Sequence, residues 1–431
     1  MTNLPKRLAA RRAHRMSFGA ATGRPWWRLA IGAAGLASVF LVTGSGMADP
    51  QTAARPAMKH LRVVYLGKRY DEPPPLSLLD RSLKDKGIVG ARVGAADNNL
   101  NGKFVGQETD LTEDILPADG DILAEAKKVF AAGNQLIVAD LEAKDLLAVA
   151  DLPEAKDAII LDIRTSDDEL RQEECRANVF HLAPSYAMRA DALGQFLLYK
   201  RWQRWFLIHG TQPADLEYTA AVKRAAARFG SRIVAERTYT YNARARTTDT
   251  GHQQTEQQMA LLTQSVPDYD VIFVVDMDEV FGEYLLFNSF DPRPVVGTQG
   301  LIAVAWHRSF EEYAGQEMQN RFERFAHRVM TERDYEGWLA LHIFGEAMLR
   351  TGATDVATLR QYVLSDEFNI AAYKGVGLSF RKWDLQLRQP ILLAGPRALI
   401  SIAPIEGFLH PKYLTDSLGY DEPETKCRFA H

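Results

Sequence analysis

Cysteine and long apolar runs are both scarce in this sequence of 431 residues. The two cysteines, Cys175 and Cys427, form no CxxC pair or Cys/His cluster, which argues against a zinc or redox site of that type. They can pair as a single disulfide in an oxidising compartment or remain as two thiols, and the sequence leaves both alternatives open. The composition, 46% hydrophobic and 25% charged, is that of a globular protein large enough for two domains.

Enzyme signatures are also missing. The sequence has no GxSxG elbow, P-loop, GxGxxG turn or HExxH motif. The balance of 51 basic and 55 acidic residues gives no basic excess for nucleic acid. We therefore expect no catalytic residues, no enzymatic activity and no nucleic-acid partner.

Acidic residues are absent from the first 48 positions, which carry seven basic residues. The basic stretch is followed by 14 apolar residues at 29–42 and by small residues up to Ala48. This order predicts a cleavable signal peptide at 1–48 and export to the periplasm. An uncleaved anchor is the alternative, although the run is shorter than the roughly 20 residues that span a bilayer. Cleavage would leave 44 basic and 55 acidic residues, a charge of −11 over 383 residues.

Short β-branched or aliphatic runs alternate with helical patterns along the rest of the chain. This alternation predicts an α/β fold with parallel sheets. The predicted strands are 61–66, 91–96, 135–139, 158–161, 179–182, 205–208, 233–239, 271–275 and 398–402. The predicted helices are 76–86, 121–132, 142–150, 187–199, 214–229, 253–264 and three segments within 316–364.

Several phrases resemble one protein family. NVFHLAPS at 178–185, RFGSRIV at 228–234 and WLALHIFGEAML at 338–349 look like segments of type I periplasmic solute-binding proteins of ABC importers. YLGKRYDEPPP, ADNNLNGKFVGQ, PVVGTQGLIAVAWH, QNRF and FRKWDLQLRQPI are similar to the subfamily associated with PQQ-dependent alcohol dehydrogenase systems. In that subfamily the importers are linked to periplasmic alcohol oxidation and, in some bacteria, to lanthanide use.

The resemblance implies two Rossmann-like lobes with parallel central sheets, joined by a three-crossing hinge. Lobe 1 would comprise 57–184 and 308–375, and lobe 2 would comprise 185–307 and 376–431. It further implies a monomer that needs no cofactor, binds a small molecule or metal complex between its lobes, and delivers it to an inner-membrane permease. A sensing or accessory role beside a membrane sensor or the alcohol dehydrogenase is the alternative on the same fold.

Candidate ligand contacts follow from the rule that ligands of open α/β sheets lie outside the carboxyl ends of the strands. The rule selects Tyr70, Asp140, Arg164, Thr165, Ser166, Thr211, Gln212 and Asp276. The resemblance adds Trp306, beside a lobe crossing. Each charged residue could equally be a solvated loop end. Where amino acid receptors of the family have a loop of small hydroxyl residues, this chain has Asp140-Leu141-Glu142, which argues against an ordinary aliphatic amino acid as ligand.

One segment fits the calcium-loop pattern D-x-[DN]-x-[DN]-G-x5-E. Its oxygen ligands would be Asp97, Asn99, Asn101 and Glu108, with Gly102 at the turn. Such a set suits a hard cation, calcium or a lanthanide. The alternative is a polar turn in which Asn and Gly adopt left-handed conformations.

Overall fold

The computed structural model describes residues 58–73, 75–77, 79–240 and 249–429, and the backbone alone of 249–253. The predicted signal peptide lies outside these residues. Among the described helices, none combines the length and apolar character that crossing a bilayer requires.

The first sheet contains five parallel strands in the spatial order β2-β1-β3-β4-β5. These are β1 (Lys59–Lys68), β2 (Gln107–Leu116), β3 (Leu136–Asp140), β4 (Ile159–Asp162) and β5 (Val179–His181). The helices α1 (Ile88–Gly102), α2 (Ile122–Ala131) and α3 (Ala143–Ala150) connect them. Every residue of β3 and β4 is buried, as expected for central parallel strands covered by helices on both faces.

The second sheet contains seven strands. Two neighbouring pairs at one edge are antiparallel, and the other four pairs are parallel. In spatial order these are β15 (Ala398–Ala403), β14 (Ile391–Gly395), β10 (Leu301–Val304), β9 (Val295–Gly297), β8 (Val271–Val275), β6 (Arg204–His209) and β7 (Arg232–Thr238). Its helices are α4 (Tyr186–Tyr199), α5 (Pro213–Arg228), α6 (Asp249–Leu262) and α7 (Gly282–Asn288).

After β10 the chain returns to the first lobe. It forms the helices α8 (Gly315–Ala326), α9 (Glu332–Thr351) and α10 (Val356–Val363). A small antiparallel sheet follows, with β11 (Ile370–Ala371), β12 (Gly377–Phe380) and β13 (Leu387–Arg388). Buried side chains from α8, α9 and this sheet share one core with β1 and α1.

The chain crosses between the lobes three times, at 182–185, 304–306 and 388–391. This confirms the predicted fold class. The lobe boundary predicted at 375/376 is misplaced, because Leu378, Phe380 and Leu387 belong to the first lobe's core. Residues 376–388 therefore stay with lobe 1, and the third crossing begins after β13.

The region 76–116 differs from the sequence prediction. Residues 91–96, predicted as a strand, lie within α1, whereas 76–86, predicted as a helix, has no helical structure among its described residues. Alternating Ala and Val residues imitate a strand, but Gly90 and Gly94 lie one helical turn apart and face α9. The backbones of α1 and α9 can approach closely only because these positions lack a Cβ. The strand β2 was not predicted, because its edge sequence QETDLTEDIL has no apolar run.

The two cysteines are paired. Cys175, just before β5, is disulfide-bonded to Cys427 near the C-terminus, 252 residues later. This confirms the disulfide alternative. It also moves the end of the chain out of lobe 2, where the sequence analysis had placed it, since Phe429 packs on the first lobe's core.

The contact between α1 and α9 gives a stability prediction. A Cβ at Gly90 would lie 1.8 Å from the carbonyl oxygen of Asp334. We expect Gly90→Ala to push the helices apart and to lower the free energy of unfolding by about 1–3 kcal/mol, measured by chemical denaturation. The matched control is Gly395→Ala, whose Cβ would meet nothing closer than 3.9 Å. Equal stability of the two variants would contradict this account of the helix pair.

Candidate functional site

A cavity of about 660 Å³ lies between the lobes, within the size range of small-molecule sites. We call it the cleft. Its first-lobe wall includes Glu142, Arg164, Thr165, Ser166, Asp167, Glu332 and Arg333. Its second-lobe wall includes Tyr186, Arg189, Glu217, Tyr218, Asp276, Thr298 and Gln299.

The loop after β4 forms the centre of the first-lobe wall, and the fully buried Asp162 fixes its shape. One carboxylate oxygen of Asp162 accepts hydrogen bonds from the backbone N–H groups of Arg164 and Thr165, both at 3.0 Å. The other lies 2.8 Å from Nδ1 of His181. Burial would raise the pKa of Asp162, but the hydrogen bond from His181 and the nearby Arg171 guanidinium hold it below its ordinary value. The loop is thus held by a carboxylate that stays ionised.

Two predicted contacts on this wall are already occupied by protein partners. The hydroxyl of Thr165 donates to Asp162 and accepts from Nη1 of Arg171 at 3.2 Å. The guanidinium of Arg164 lies 3.0 Å from the Asp140 carboxylate and stacks over the Tyr70 ring at 4.6 Å. Thr165 therefore supports the loop, and Arg164 is held rigidly at the boundary of the cleft.

The second-lobe wall presents an aromatic pair and an arginine. The rings of Tyr186 and Tyr218 stack with their centroids 5.2 Å apart. On the same helix as Tyr186, Arg189 donates to the carbonyl of Ala303 at 2.8 Å and lies 3.1 Å from the Glu332 carboxylate. Because Glu332 belongs to the first lobe, this ion pair spans the base of the cleft.

Asp276 lines the cleft, but its carboxylate has a structural role. It accepts hydrogen bonds from the backbone N–H groups of Phe281 and Gly282, both at 2.7 Å, and it is 2% exposed. The adjacent wall is formed by Gly297, whose φ of +126° and close approach to the carbonyl of Val274 exclude a side chain. Backbone groups therefore form much of this part of the surface.

A pair of carboxyl groups from opposite lobes meets in the cleft. Asp167 belongs to the first lobe, and Glu217, with which it shares a hydrogen bond, belongs to α5 of the second. Partial desolvation and the neighbouring Asp167 raise the pKa of Glu217 to about 7. Within the described part of the chain, neither carboxyl has a basic side chain within 4.0 Å. A cation entering the cleft would meet two facing carboxyl groups that form no ion pair within the described part of the chain, since the Arg171 guanidinium attracts Asp167 only from beyond 4.0 Å.

Five predicted contacts lie outside the cleft. Tyr70 and Asp140 line a neighbouring cavity of about 320 Å³ in the first lobe, which we call the side chamber. Thr211 and Gln212 border a small indentation at the N-terminal end of α5. The prediction for Trp306 is wrong, because this residue is 2% exposed and stacks on Tyr335 at 4.8 Å inside the first lobe's core. Arg164, Thr165, Ser166 and Asp276 are the predicted residues that reach the cleft.

The predicted calcium loop is also wrong. Asp97, Asn99 and Asn101 lie in α1, so their side chains leave the helix in different directions instead of converging. Asp97 accepts from the Trp338 indole at 2.8 Å and pairs with Arg321 at 2.9 Å. Asn99 exchanges two hydrogen bonds with the backbone of Thr109. Glu108 is on β2, where it is 4.0 Å from His60.

Sequence reasoning missed several residues of the cleft. The strand-end rule was applied to loops, whereas the missed residues lie in the first two turns of helices: Tyr186 and Arg189 on α4, and Glu217 and Tyr218 on α5. Extending the rule to the first two helical turns after each strand or crossing would have found them. Glu332 and Arg333 carry no such signal, because they reach the cleft only through the return of the chain to lobe 1.

Polar side chains fasten the crossings at the base of the cleft. The ammonium of the buried Lys374 donates to the carbonyl of Ala305 in the second crossing and lies 3.4 Å from that of Pro390 in the third. Gln389 donates to the carbonyl of Leu182 in the first crossing at 2.6 Å. Burial lowers the pKa of Lys374 from its ordinary value to about 7.

This shift gives a pH prediction. Between pH 7 and the ordinary lysine pKa, Lys374 is protonated in the unfolded chain and neutral in the folded one, so its contribution to stability rises with pH. We expect the free energy of unfolding of the wild type, minus that of Lys374→Met, to increase by up to about 1.4 kcal/mol per pH unit above pH 7. The comparison with the variant is needed because burial also raises the pKa of Glu336, and a raised carboxyl pKa makes the free energy of unfolding fall as the pH rises.

Denaturant titrations at pH 7 and pH 9 measure this difference. Lys382→Met serves as control, since Lys382 is exposed and pairs with Asp366 on the surface. A difference that stayed constant between the two pH values for Lys374→Met would contradict the shifted pKa.

Known proteins resemble the chain in sequence and in fold. A family model described as periplasmic binding protein matches residues 89–279. None of the curated proteins matches the chain. A branched-chain amino acid ABC transporter periplasmic ligand-binding protein from Burkholderia xenovorans is 14% identical, covers 86% of this chain and 99% of its own, and has a TM-score of 0.64.

Two further solved structures are similar. An amino acid ABC transporter substrate-binding protein from Pseudomonas fluorescens is 12% identical, covers 86% of this chain and 100% of its own, and has a TM-score of 0.63. A solute-binding protein from R. palustris in complex with benzoate is 12% identical over the same shares, with a TM-score of 0.59. The chain therefore has the α/β fold of type I periplasmic binding proteins, with parallel sheets in two lobes.

Proposed function

We propose that this protein is the solute-binding component of an ABC importer, working in the periplasm after removal of its signal peptide. The observation that carries the proposal is the cleft, a cavity of about 660 Å³ with one wall on each α/β lobe. Binding proteins of this architecture close around a ligand by bending at their crossings. Closure would present the bound solute to an inner-membrane permease.

The ligand chemistry follows from the walls of the cleft. Asp167 and Glu217 face each other with no basic side chain within 4.0 Å among the described residues, beside the stacked rings of Tyr186 and Tyr218. Carboxylates and aromatic faces both attract cations. We therefore propose a solute with a cationic part, either an organic ammonium group or a hard metal ion, which carboxylate oxygens also bind well.

The resemblance to the PQQ-associated subfamily suggests a metabolic setting. We propose that the solute is linked to periplasmic alcohol oxidation or to lanthanide uptake, and a lanthanide ion or its complex would satisfy the acidic pair. The alternative, a sensing or accessory protein for the alcohol dehydrogenase system, would use the same cleft. Affinity purification from the native periplasm separates the two, because the importer hypothesis predicts recovery of a permease and the alternative predicts recovery of a sensor or dehydrogenase.

A ligand panel tests the binding function. Purified protein is mixed with amino acids, short alcohols, the corresponding acids, LaCl₃ and lanthanum citrate, and the melting temperature is recorded. A ligand present at 100 times its Kd should stabilise the folded state by about 2.7 kcal/mol. Native mass spectrometry should then show one ligand per chain. A panel without any stabilising member, together with protein that carries no solute from its own periplasm, would contradict the proposal.

Glu217 gives a pH dependence for any cationic member of that panel. Because the pKa of Glu217 is about 7, its carboxylate forms as the pH rises from 6 to 8, and cation binding must expel the proton at the lower pH. Affinity should rise by up to about tenfold per pH unit below pH 7 and level off above it. Calorimetry at several pH values should show this slope in the wild type and its loss in Glu217→Gln, while the exposed control Glu154→Gln keeps it. An unchanged slope in Glu217→Gln would exclude Glu217 from cation binding.

A further inference from the structure

The side chamber adjoins the cleft in the first lobe, at the carboxyl ends of β1 and β3. Residues 69–72 and 82–84 line one side of it, and its volume is about 320 Å³. The side chains of Arg164 and Arg333 line both cavities. A ligand in the cleft could therefore extend past these two guanidinium groups into the side chamber.

Tyr70 and Glu72 of this lining segment are held in place by specific contacts. The hydroxyl of Tyr70 donates to the Asp145 carboxylate at 2.7 Å and accepts from the backbone N–H of Glu142 at 3.0 Å. At the other end, Glu72 pairs with Lys86 at 2.7 Å and with Arg333 at 3.1 Å. The side chamber is thus a built cavity with defined walls.

Its charge is opposite to that of the cleft. The side chamber is lined by the six basic residues Lys68, Arg69, Lys84, Lys86, Arg164 and Arg333. Its acidic lining residues are Asp71, Glu72 and Asp140. The cleft, in contrast, has four basic and six acidic lining residues. The two adjoining cavities therefore form a dipole, acidic on the side of the cleft and basic on the side of the chamber.

Not all of the positive charge in the side chamber is neutralised. Arg164 and Arg333 share the carboxylates of Glu72 and Asp140. By contrast, Arg69 and Lys84 have no carboxylate within 4.0 Å among the described residues, and both are exposed at the mouth. They remain available to an incoming anion.

We propose that the side chamber is an anion subsite, which binds a carboxylate or phosphate group of the solute whose cationic part lies in the cleft. The proposal deepens the proposed function, since it assigns the solute to the class of zwitterionic or chelated compounds with separated charges. Arg69 and Lys84 would meet the anion at the mouth. The guanidinium groups of Arg164 and Arg333, held between the two cavities, would orient it.

Calorimetry with two simple probes tests the subsite, namely citrate for the carboxylate group and inorganic phosphate for the phosphate group. We expect at least one probe to bind the purified metal-free protein, with an affinity that falls as NaCl is raised. The double variant Arg69→Gln/Lys84→Gln should weaken that binding by about tenfold. The control Lys103→Gln/Lys127→Gln makes the same change of net charge on exposed lysines outside both cavities and should leave the affinity within about twofold.

Failure of the subsite is distinguishable from failure of the proposed function. Absence of binding for both probes, or equal weakening in the two double variants, would overturn the anion subsite while leaving the cleft panel to stand or fall on its own result. Binding of a probe that is lost in Arg69→Gln/Lys84→Gln but kept in Glu217→Gln would support the subsite even if no solute bound in the cleft. Circular dichroism of each variant confirms that folding is intact.

Discussion

The rest of the structure depends on one constraint: the backbone carbonyl groups at the lobe crossings need hydrogen-bond donors from outside the two sheets. Where a chain leaves one sheet for another, its peptide groups lose their ladder partners, and an unsatisfied buried carbonyl is costly. Here buried side chains replace the ladder: Lys374 serves two crossings, Gln389 serves the first, and Arg171 and Gln386 both donate to Ala183. The three crossings are thereby bound into one polar joint beneath the cleft. A ligand site can be placed above them because these side chains bind the carbonyl groups of all three crossings at its base.

Hydrogen bonding within the protein also decides which residues of the site can contact a ligand. Asp162 and Asp276 each accept several hydrogen bonds that hold a loop in place, which leaves few of their lone pairs for a ligand. The side chains that could still contact a ligand lie further out and are separated by charge. The carboxyl groups of Asp167 and Glu217 face each other between the lobes, and Arg69 and Lys84, without a carboxylate partner among the described residues, lie at the mouth of the side chamber. Charge is therefore separated over adjacent cavities instead of being mixed in one, which favours ligands whose own charges are separated.

The sequence predicted the fold well where burial is continuous, as in β3, β4 and β8, because a strand covered on both faces must be apolar throughout. The prediction failed at β2, a polar edge strand, and at α1. In α1, apolar residues alternate as they do in a strand, although its small residues serve the contact with another helix. The site was predictable in part, since Arg164 and Ser166 follow a strand end. The pairing of Asp167 with Glu217 was not, because it arises when two lobes distant in sequence meet, and no local pattern records that contact. Trp306 was misassigned for a related reason: nearness to a crossing does not distinguish the cleft from the core behind it.

The disulfide between Cys175 and Cys427 encloses the whole second lobe within one covalent ring. Just ahead of Cys427, Gly419 accepts hydrogen bonds from Arg224 and Arg228 of the second lobe. The second and third crossings lie within that ring, as does the first. A protease that cuts one crossing would therefore produce two fragments, which the disulfide still holds in a single molecule. Separation of the two fragments would then require reduction of the disulfide as well.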